Sequence, residues 1–367
     1  MKIGIDCWFG SYEHPRGIGK VTVELINRLV NYNKNTQFYI FVPKNTQFTE
    51  DLLINSNCKI ILTSQSYFLH ENICIPYNVL KHKLDIMHSL GNTTPIWLPR
   101  YCSRIITIHD LIYLERSILS ILKEKEFGAL YRRINFYFLK RLENLLIITP
   151  SHYSKVQVSQ YINKSKVNVI FNGVEINTNI VNRSLNDDRF ILTLGALDKR
   201  KNTALSIKSY LESNLFKNNV TLKVVGLQNI ELFCRKFGFN KCELRKSGVE
   251  MFEYVDENQL HNLYKKCLAF LYISLGEGFG LPIVEAQLYD AQVIASDSTS
   301  CVEVAGPSAK LVDPESVSQV TTALNSILIR EATNHLSDTE WLKRFQWRNI
   351  IYQYMDIYEK KNQYNFT

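Results

Sequence analysis

The chain has 367 residues, 46% of them apolar and 21% charged. That balance excludes general disorder, and the length exceeds what one ordinary core encloses. A net charge of +8 and a pI near 8.9 favour an anionic ligand or an anionic membrane surface, whereas nucleic acid finds no zinc-finger, RRM or homeodomain pattern to support it.

Met1 leads directly into an apolar run, Lys2–Asp6, that reads as a strand with no leader-like segment before it. The next stretch, HPRGIGKVTVEL at 14–25, places Gly17 and Gly19 before a predicted helix at 18–32. It falls short of a dinucleotide fingerprint, because Val21 and Thr22 stand where a third glycine would be sought. Further strands are predicted at 38–42, 59–63, 85–88, 104–109, 145–149 and 167–171, with helices at 71–82, 121–143 and 151–161. The strand runs are rich in Ile and Val without strict alternation, as expected for strands covered on both faces. RIITIHDL ends a strand on His109, which is either a structural histidine or one that meets a sugar hydroxyl or a proton. Residues 123–142 mix cations with aromatics and read as a core helix or as one lying on anionic lipid.

The polar, turn-rich stretch 173–189 reads as a linker. Strands then resume at 190–194, 221–225, 249–252, 268–273, 292–295 and 309–312, with helices at 202–213, 229–237, 257–266, 282–290 and 315–331. Two βαβ blocks in tandem predict two doubly wound α/β domains, 1–172 and 190–344, facing across a cleft. Eight scattered cysteines with no C-x-x-C pair fit a reducing compartment. No apolar run reaches eighteen residues, so the expected location is cytoplasmic, or peripheral on the cytosolic face of a membrane.

Two motifs sit at predicted strand ends in the second block, where open α/β sheets bind ligands. In LGALDKRKN, 194–202, Gly195 ends a strand, and Lys199, Arg200 and Lys201 crowd a helix start. Cations there either cradle a phosphate or form a solvated turn. In EGFGLPIVEA, 277–286, Gly278 and Gly280 permit a tight turn, and Pro282 suits a first helical turn. The N–H groups of Phe279, Gly280 and Leu281 can then face a phosphate. Glu277 and Glu285 each suit a vicinal diol, although Glu285 could simply complement the helix dipole. H-E-x-x-H, D-x-D, G-x-S-x-G and P-loop motifs are absent.

Together these residues resemble the retaining glycosyltransferases of family 4. EGFGLPIVEA looks like their E-x7-E motif, and RGIGK, TIHDLIYL, TPSHYSK, VNVIFNGVE, RKN, YVDENQLHNLYKKC and ASDSTSCVEVAG follow in family order over nearly the whole chain. The resemblance implies the GT-B fold, with a final helix at about 345–367 returning to the first domain. It implies that Glu285 binds the donor ribose and that Glu277 contacts the donor sugar near Phe279, Gly280 and Leu281. It further implies that Arg200 and Lys201 neutralise the diphosphate near Gly195, and that Gly17 and Gly19 approach it from the first domain. His109 is expected at the transferred sugar and Val255 near the base. Ala196 departs from the pattern where many members carry Arg, as does Val302 where Pro is common.

The implied reaction is retaining, needs no cofactor or metal at its core, and moves a hexose from a nucleotide-sugar donor to a lipid-linked saccharide acceptor in bacterial surface-polysaccharide synthesis. Mannose or rhamnose is the expected sugar. The alternatives are a GT-B sugar-nucleotide epimerase or a non-catalytic nucleotide-sugar-binding protein.

Overall fold

The structure, a computed structural model, describes residues 1–12, 17–44, 55–115, 127–142, 144–175, 189–330 and 338–364. The chain divides into two units. The first contains Met1–Gly173 and Phe345–Thr367, and the second Val174–Arg344.

The first unit holds a seven-stranded parallel sheet: β1 (Lys2–Asp6), β2 (Gln37–Pro43), β3 (Cys58–Thr63), β4 (Ile86–Ser89), β5 (Ser103–Thr107), β6 (Leu145–Thr149) and β7 (Val167–Val169). Their order is β3-β2-β1-β4-β5-β6-β7, so the sequence reverses direction across the sheet between β1 and β4. All of β4 and β5 is buried, as the unalternating apolar runs predict. The helix Ile18–Tyr32 buries Val21, Leu25, Ile26, Leu29 and Val30, one face at helical spacing.

The second unit holds six parallel strands: β8 (Phe190–Leu194), β9 (Thr221–Val225), β10 (Val249–Phe252), β11 (Ala269–Tyr272), β12 (Gln292–Ser296) and β13 (Lys310–Val312). Their order is β10-β9-β8-β11-β12-β13, and the reversal falls between β8 and β11. Both units are therefore Rossmann-like.

Two of the differences from the pattern read in the sequence concern helices near the sheets. The one expected at 71–82 begins at Tyr67 and passes through a π turn, His70–Cys74, before Ile75–His82. A short helix, Lys241–Lys246, was not expected; Leu244 is its one buried residue, so its apolar signal is too sparse to read. Of the expected linker, 176–188 lie outside the described residues.

The terminal helix, Trp347–Tyr364, belongs to the first unit and buries Ile350, Ile351, Tyr354, Met355 and Tyr358 there. The Tyr358 hydroxyl lies 2.7 Å from Nδ1 of His88, whose Nε2 lies 2.9 Å from Thr107 Oγ1. Burial first, then the proximity of His109, lowers the His88 pKa to about 3, so the ring is neutral. The Trp347 indole covers Gly173, where an added Cβ would fall 2.3 Å from Trp347 Cδ2. Gly173→Ala is thus expected to destabilise the first unit by about 1–3 kcal/mol, read as a lowered midpoint in thermal unfolding; an unchanged midpoint would show that the indole yields freely.

Candidate functional site

The candidate site in the second unit stands at its switch point, beyond the C-terminal ends of β8 and β11. After β8 the chain leaves Gly195, whose N–H donates to Val225 O at 2.7 Å. A Cβ on Gly195 would lie 2.7 Å from Val224 Cγ1, so the close strand packing requires glycine. The Ala196 N–H donates to Thr203 Oγ1 at 3.0 Å, and that hydroxyl stands 3.3 Å from Ala196 O, closing the loop on the next helix, Thr203–Glu212. Between them, Lys199–Lys201 form one 3-10 turn capped by Asp198. Asn202 then takes the left-handed conformation at φ 53°.

The loop after β11 is tied to that turn. Arg200 O accepts from Leu275 N at 2.7 Å and from Ser274 Oγ at 2.9 Å. This stitching places Lys201 beside Glu277. Lys201 Nζ lies 2.7 Å from Glu277 Oε1 and donates to Tyr272 Oη at 2.8 Å. The Tyr272 hydroxyl in turn donates to Glu277 Oε1 at 2.8 Å. Burial first, then the Glu277 charge, holds the Tyr272 phenol well above its usual pKa, so it stays a donor. One Glu277 oxygen thus takes both bonds. Ser300 Oγ donates to the Glu277 main-chain oxygen at 2.9 Å and fixes the loop from its other side.

Arg200 meets Asp198 through Nε at 2.9 Å and Nη2 at 2.7 Å, and it reaches Gly276 O from Nη1 at 3.4 Å. Burial works against the charged Asp198. The Arg200 N–H and guanidinium, with the Lys201 charge, outweigh it and hold the carboxyl below its usual range.

Gly280, at φ 98° and ψ 41°, starts the helix Leu281–Leu288, with Pro282 in its first turn. A side chain at that φ is strained, and a Cβ would also come within 3.2 Å of Val304 Cγ2. Phe279 is buried beneath the turn. The helix N-terminus therefore lies beside Glu277, an arrangement suited to an anion. Glu285, one turn further on, receives a long 3.5 Å contact from the Tyr264 hydroxyl. Val255 is half-buried on the loop beyond β10. Glu277, Arg200, Lys201, Gly195, Phe279, Gly280, Leu281, Glu285 and Val255 are thus all brought to the C-terminal side of one sheet.

Gly17, Gly19 and His109 belong to the first unit. Gly17, at φ 51°, precedes Ile18–Tyr32, and Gly19 is buried in its first turn. Residues 14–16 lie outside the described residues. His109 is buried, its main-chain N–H donating to Asn92 Oδ1 at 2.6 Å. Its Nε2 lies 3.0 Å from Leu90 O. A carbonyl only accepts, so Nε2 carries the proton and Nδ1 is the acceptor. Burial foremost lowers the ring's pKa, keeping it neutral. Of 123–142, residues 123–126 lie outside the described residues; the helix Phe127–Leu139 buries Phe136 and Leu139 and exposes Phe127 and Ile134.

Sequence reading missed Tyr272, Asp198 and Ser300, which hold the site from other elements. It also missed a buried polar cluster in the first unit. The Glu71 carboxylate accepts from Thr93 Oγ1 at 2.5 Å, from Tyr67 Oη at 3.3 Å and from Tyr131 Oη. Beside it, Asp6 Oδ1 meets His70 Nε2 at 2.9 Å. Among the described residues no group of His, Cys, Asp and Glu is placed to hold a metal ion.

Two Rossmann-like units, one bearing an anion-suited site at its switch point, define the GT-B class. HepE from Anabaena, solved with UDP-glucose, has the same fold: TM-score 0.70 at 16% identity, over 98% of this chain and 100% of that one.

Residues 176–339 match the family model for glycosyl transferases group 1. Among the chain's relatives, the serotype-specific mannosyltransferase WbdA of Escherichia coli is 30% identical over 179 residues, 46% of this chain and 21% of WbdA. The O-antigen chain mannosyltransferase RfbU of Salmonella typhimurium is 26% identical over 257 residues, 66% of this chain and 67% of RfbU. The chain thus spans about a fifth of WbdA and two thirds of RfbU.

Proposed function

We propose that the chain is a retaining hexosyltransferase that moves mannose from a nucleoside-diphosphate donor to a lipid-linked saccharide in the assembly of a bacterial surface polysaccharide. The observation that carries this reading is the Lys201–Glu277 pair beside Arg200, at the switch point and next to the Gly280-led helix. Mannose is favoured over rhamnose because WbdA and RfbU are mannosyltransferases.

The reaction breaks the bond between the anomeric carbon and the diphosphate. Negative charge grows on the leaving phosphate while the sugar gains oxocarbenium character. Fixed donors aimed at that phosphate are the largest available source of rate. Lys201 Nζ has three protons, of which Glu277 and Tyr272 take two, leaving one to meet a phosphate oxygen. Arg200 supplies the second cation and stands in for the arginine missing at Ala196. The helix N-terminus at Gly280 and Leu281 adds N–H donors, so no metal is needed to neutralise the diphosphate.

Glu277, positioned by Lys201 and Tyr272, accepts hydrogen bonds from the hydroxyls of the transferred sugar. Glu285 holds the ribose diol, and Val255 lies against the base. Neutral His109 offers Nδ1 to a sugar hydroxyl, while Gly17 and Gly19 let main chain approach the donor. The acceptor hydroxyl attacks the face the diphosphate leaves, and a donor phosphate oxygen takes its proton. Because the acceptor is lipid-linked, the chain works peripherally on an anionic membrane surface. No helix among the described residues is long and apolar enough to cross a membrane.

A thermal-shift screen with GDP-mannose, UDP-glucose and dTDP-rhamnose tests the donor assignment. A donor at about 100 times its Kd stabilises the native state by about 2.7 kcal/mol. GDP-mannose is expected to raise the midpoint most, and mannose release is expected to require a saccharide acceptor. A larger shift with another donor would overturn mannose; donor consumption without any acceptor would overturn transfer.

A further inference from the structure

The helical run 67–82 covers the first unit's sheet, and on its inner face Ile75 and Val79 pack with Met87 and Leu98. Its outer face is apolar as well. Leu69, Ile73, Tyr77 and Leu80 recur every three or four residues and are all exposed, Ile73 at 58% and Tyr77 at 60%. A surface helix ordinarily turns charged residues outward along its length; this one exposes a charge only in its last turn, at Lys81.

The apolar surface continues on both sides of the helix. Asn72 Oδ1 accepts from Ile96 N at 3.0 Å, and the Tyr101 hydroxyl donates to Val79 O at 3.4 Å. These bonds fix loop 95–101 alongside, with Trp97 55% exposed. On the other side Asn72 Nδ2 donates to the Tyr131 hydroxyl at 2.8 Å, and the Phe68 and Tyr131 rings lie 6.1 Å apart. Tyr131 shares a helix face with exposed Phe127 and Ile134. Isolated exposed apolar residues are ordinary; a continuous surface drawn from three segments marks an interaction site.

Charge identifies the occupant. Segments 67–83 and 95–101 expose Lys81, Lys83 and Arg100. Their one acid, Glu71, is buried. A second copy docked on this face would set these cations against themselves, which self-association disfavours. Tyr and Trp beside cations, over an apolar stripe, match a headgroup layer.

We propose that this face of the first unit seats on an anionic lipid bilayer, with helix 67–82 in the interface plane and Tyr77 and Trp97 at headgroup depth. This deepens the membrane reading given under the proposed function. It moves the centre of contact from 123–142 to 67–82 and 95–101, and the helix Phe127–Leu139 forms one edge.

The test is co-sedimentation of the full chain with vesicles of phosphatidylcholine alone and of equal parts phosphatidylcholine and phosphatidylglycerol. The wild type is expected to sediment with the anionic vesicles and to be released by salt. Ile73→Asn/Trp97→Ser, both exposed positions, is expected to bind about tenfold less with an unchanged unfolding midpoint. Lys81→Glu/Arg100→Glu is expected to lose the preference for anionic vesicles.

Wild-type-like binding by both variants would overturn this surface while leaving the membrane reading standing. No binding by the wild type would overturn both. Self-association in sedimentation velocity that Ile73→Asn/Trp97→Ser abolishes would give the face to a second copy instead. None of these measurements needs a donor, so they stand or fall apart from the transferase reading.

Discussion

Lys201→Ala is expected to lower kcat/KM for sugar transfer by about 10²–10³-fold, because in the proposed reaction it removes a cation that meets the charge forming on the leaving phosphate. The loss should fall mainly on kcat if Lys201 binds the developing charge more tightly than the ground-state diphosphate. Lys201 also holds Glu277, so its removal leaves that carboxylate with the Tyr272 hydroxyl alone on Oε1. Glu277→Ala is expected to cost a comparable factor, and the double variant less than the product of the two, since they share one interaction. The 3-10 turn is held by Asp198 and by the bonds to Arg200 O, which do not involve the Lys201 side chain. Folding is therefore expected to survive. Steady-state turnover with GDP-mannose, beside thermal unfolding of each variant, checks this. Wild-type-like turnover in both single variants would remove the pair from the site.

The second large effect belongs to Glu71. Burial pushes its pKa from 4.5 up to about 7; Thr93 and Tyr131 pull it down, and the Asp6 charge raises it. Tyr67 and Arg104 also act on this carboxyl or respond to its charge. The folded chain therefore keeps a proton that the unfolded chain has released. This stabilisation is complete below pH 4.5 and disappears as pH rises through 7. A shift of that size corresponds to about 3 kcal/mol lost across the window. Glu71→Gln keeps the shape without the charge and is expected to flatten the dependence. Urea midpoints at pH 5 and pH 8 measure it. Parallel profiles for variant and wild type would show that Glu71 does not titrate in this range.

Much of the sheet was legible because its strands are buried on both faces. FILTL and TLKVV match β8 and β9 residue for residue. The π turn was not legible, since a one-residue widening of the hydrogen-bond ladder leaves no mark on apolar spacing. The site divides in the same manner. Glycines before Pro282, and cations crowding a helix start, announce themselves locally. Tyr272 does not, because only the adjacency of β8 and β11 brings its hydroxyl to Lys201. The departure at Ala196 was visible, but the reach of Arg200 to Gly276 was not, as it depends on the stitching at Ser274 and Leu275.

The return of Trp347–Tyr364 to the first unit has a consequence for biosynthesis. A ribosome delivers residues 1–173 first, yet His88 must wait for Tyr358 and Gly173 for the Trp347 indole. The second unit is continuous in the chain, so it can close while its predecessor still exposes the groove that the last helix fills. The half that begins first is finished last. A nascent chain stalled after residue 344 should thus present a protease-resistant second unit attached to a protease-sensitive first one.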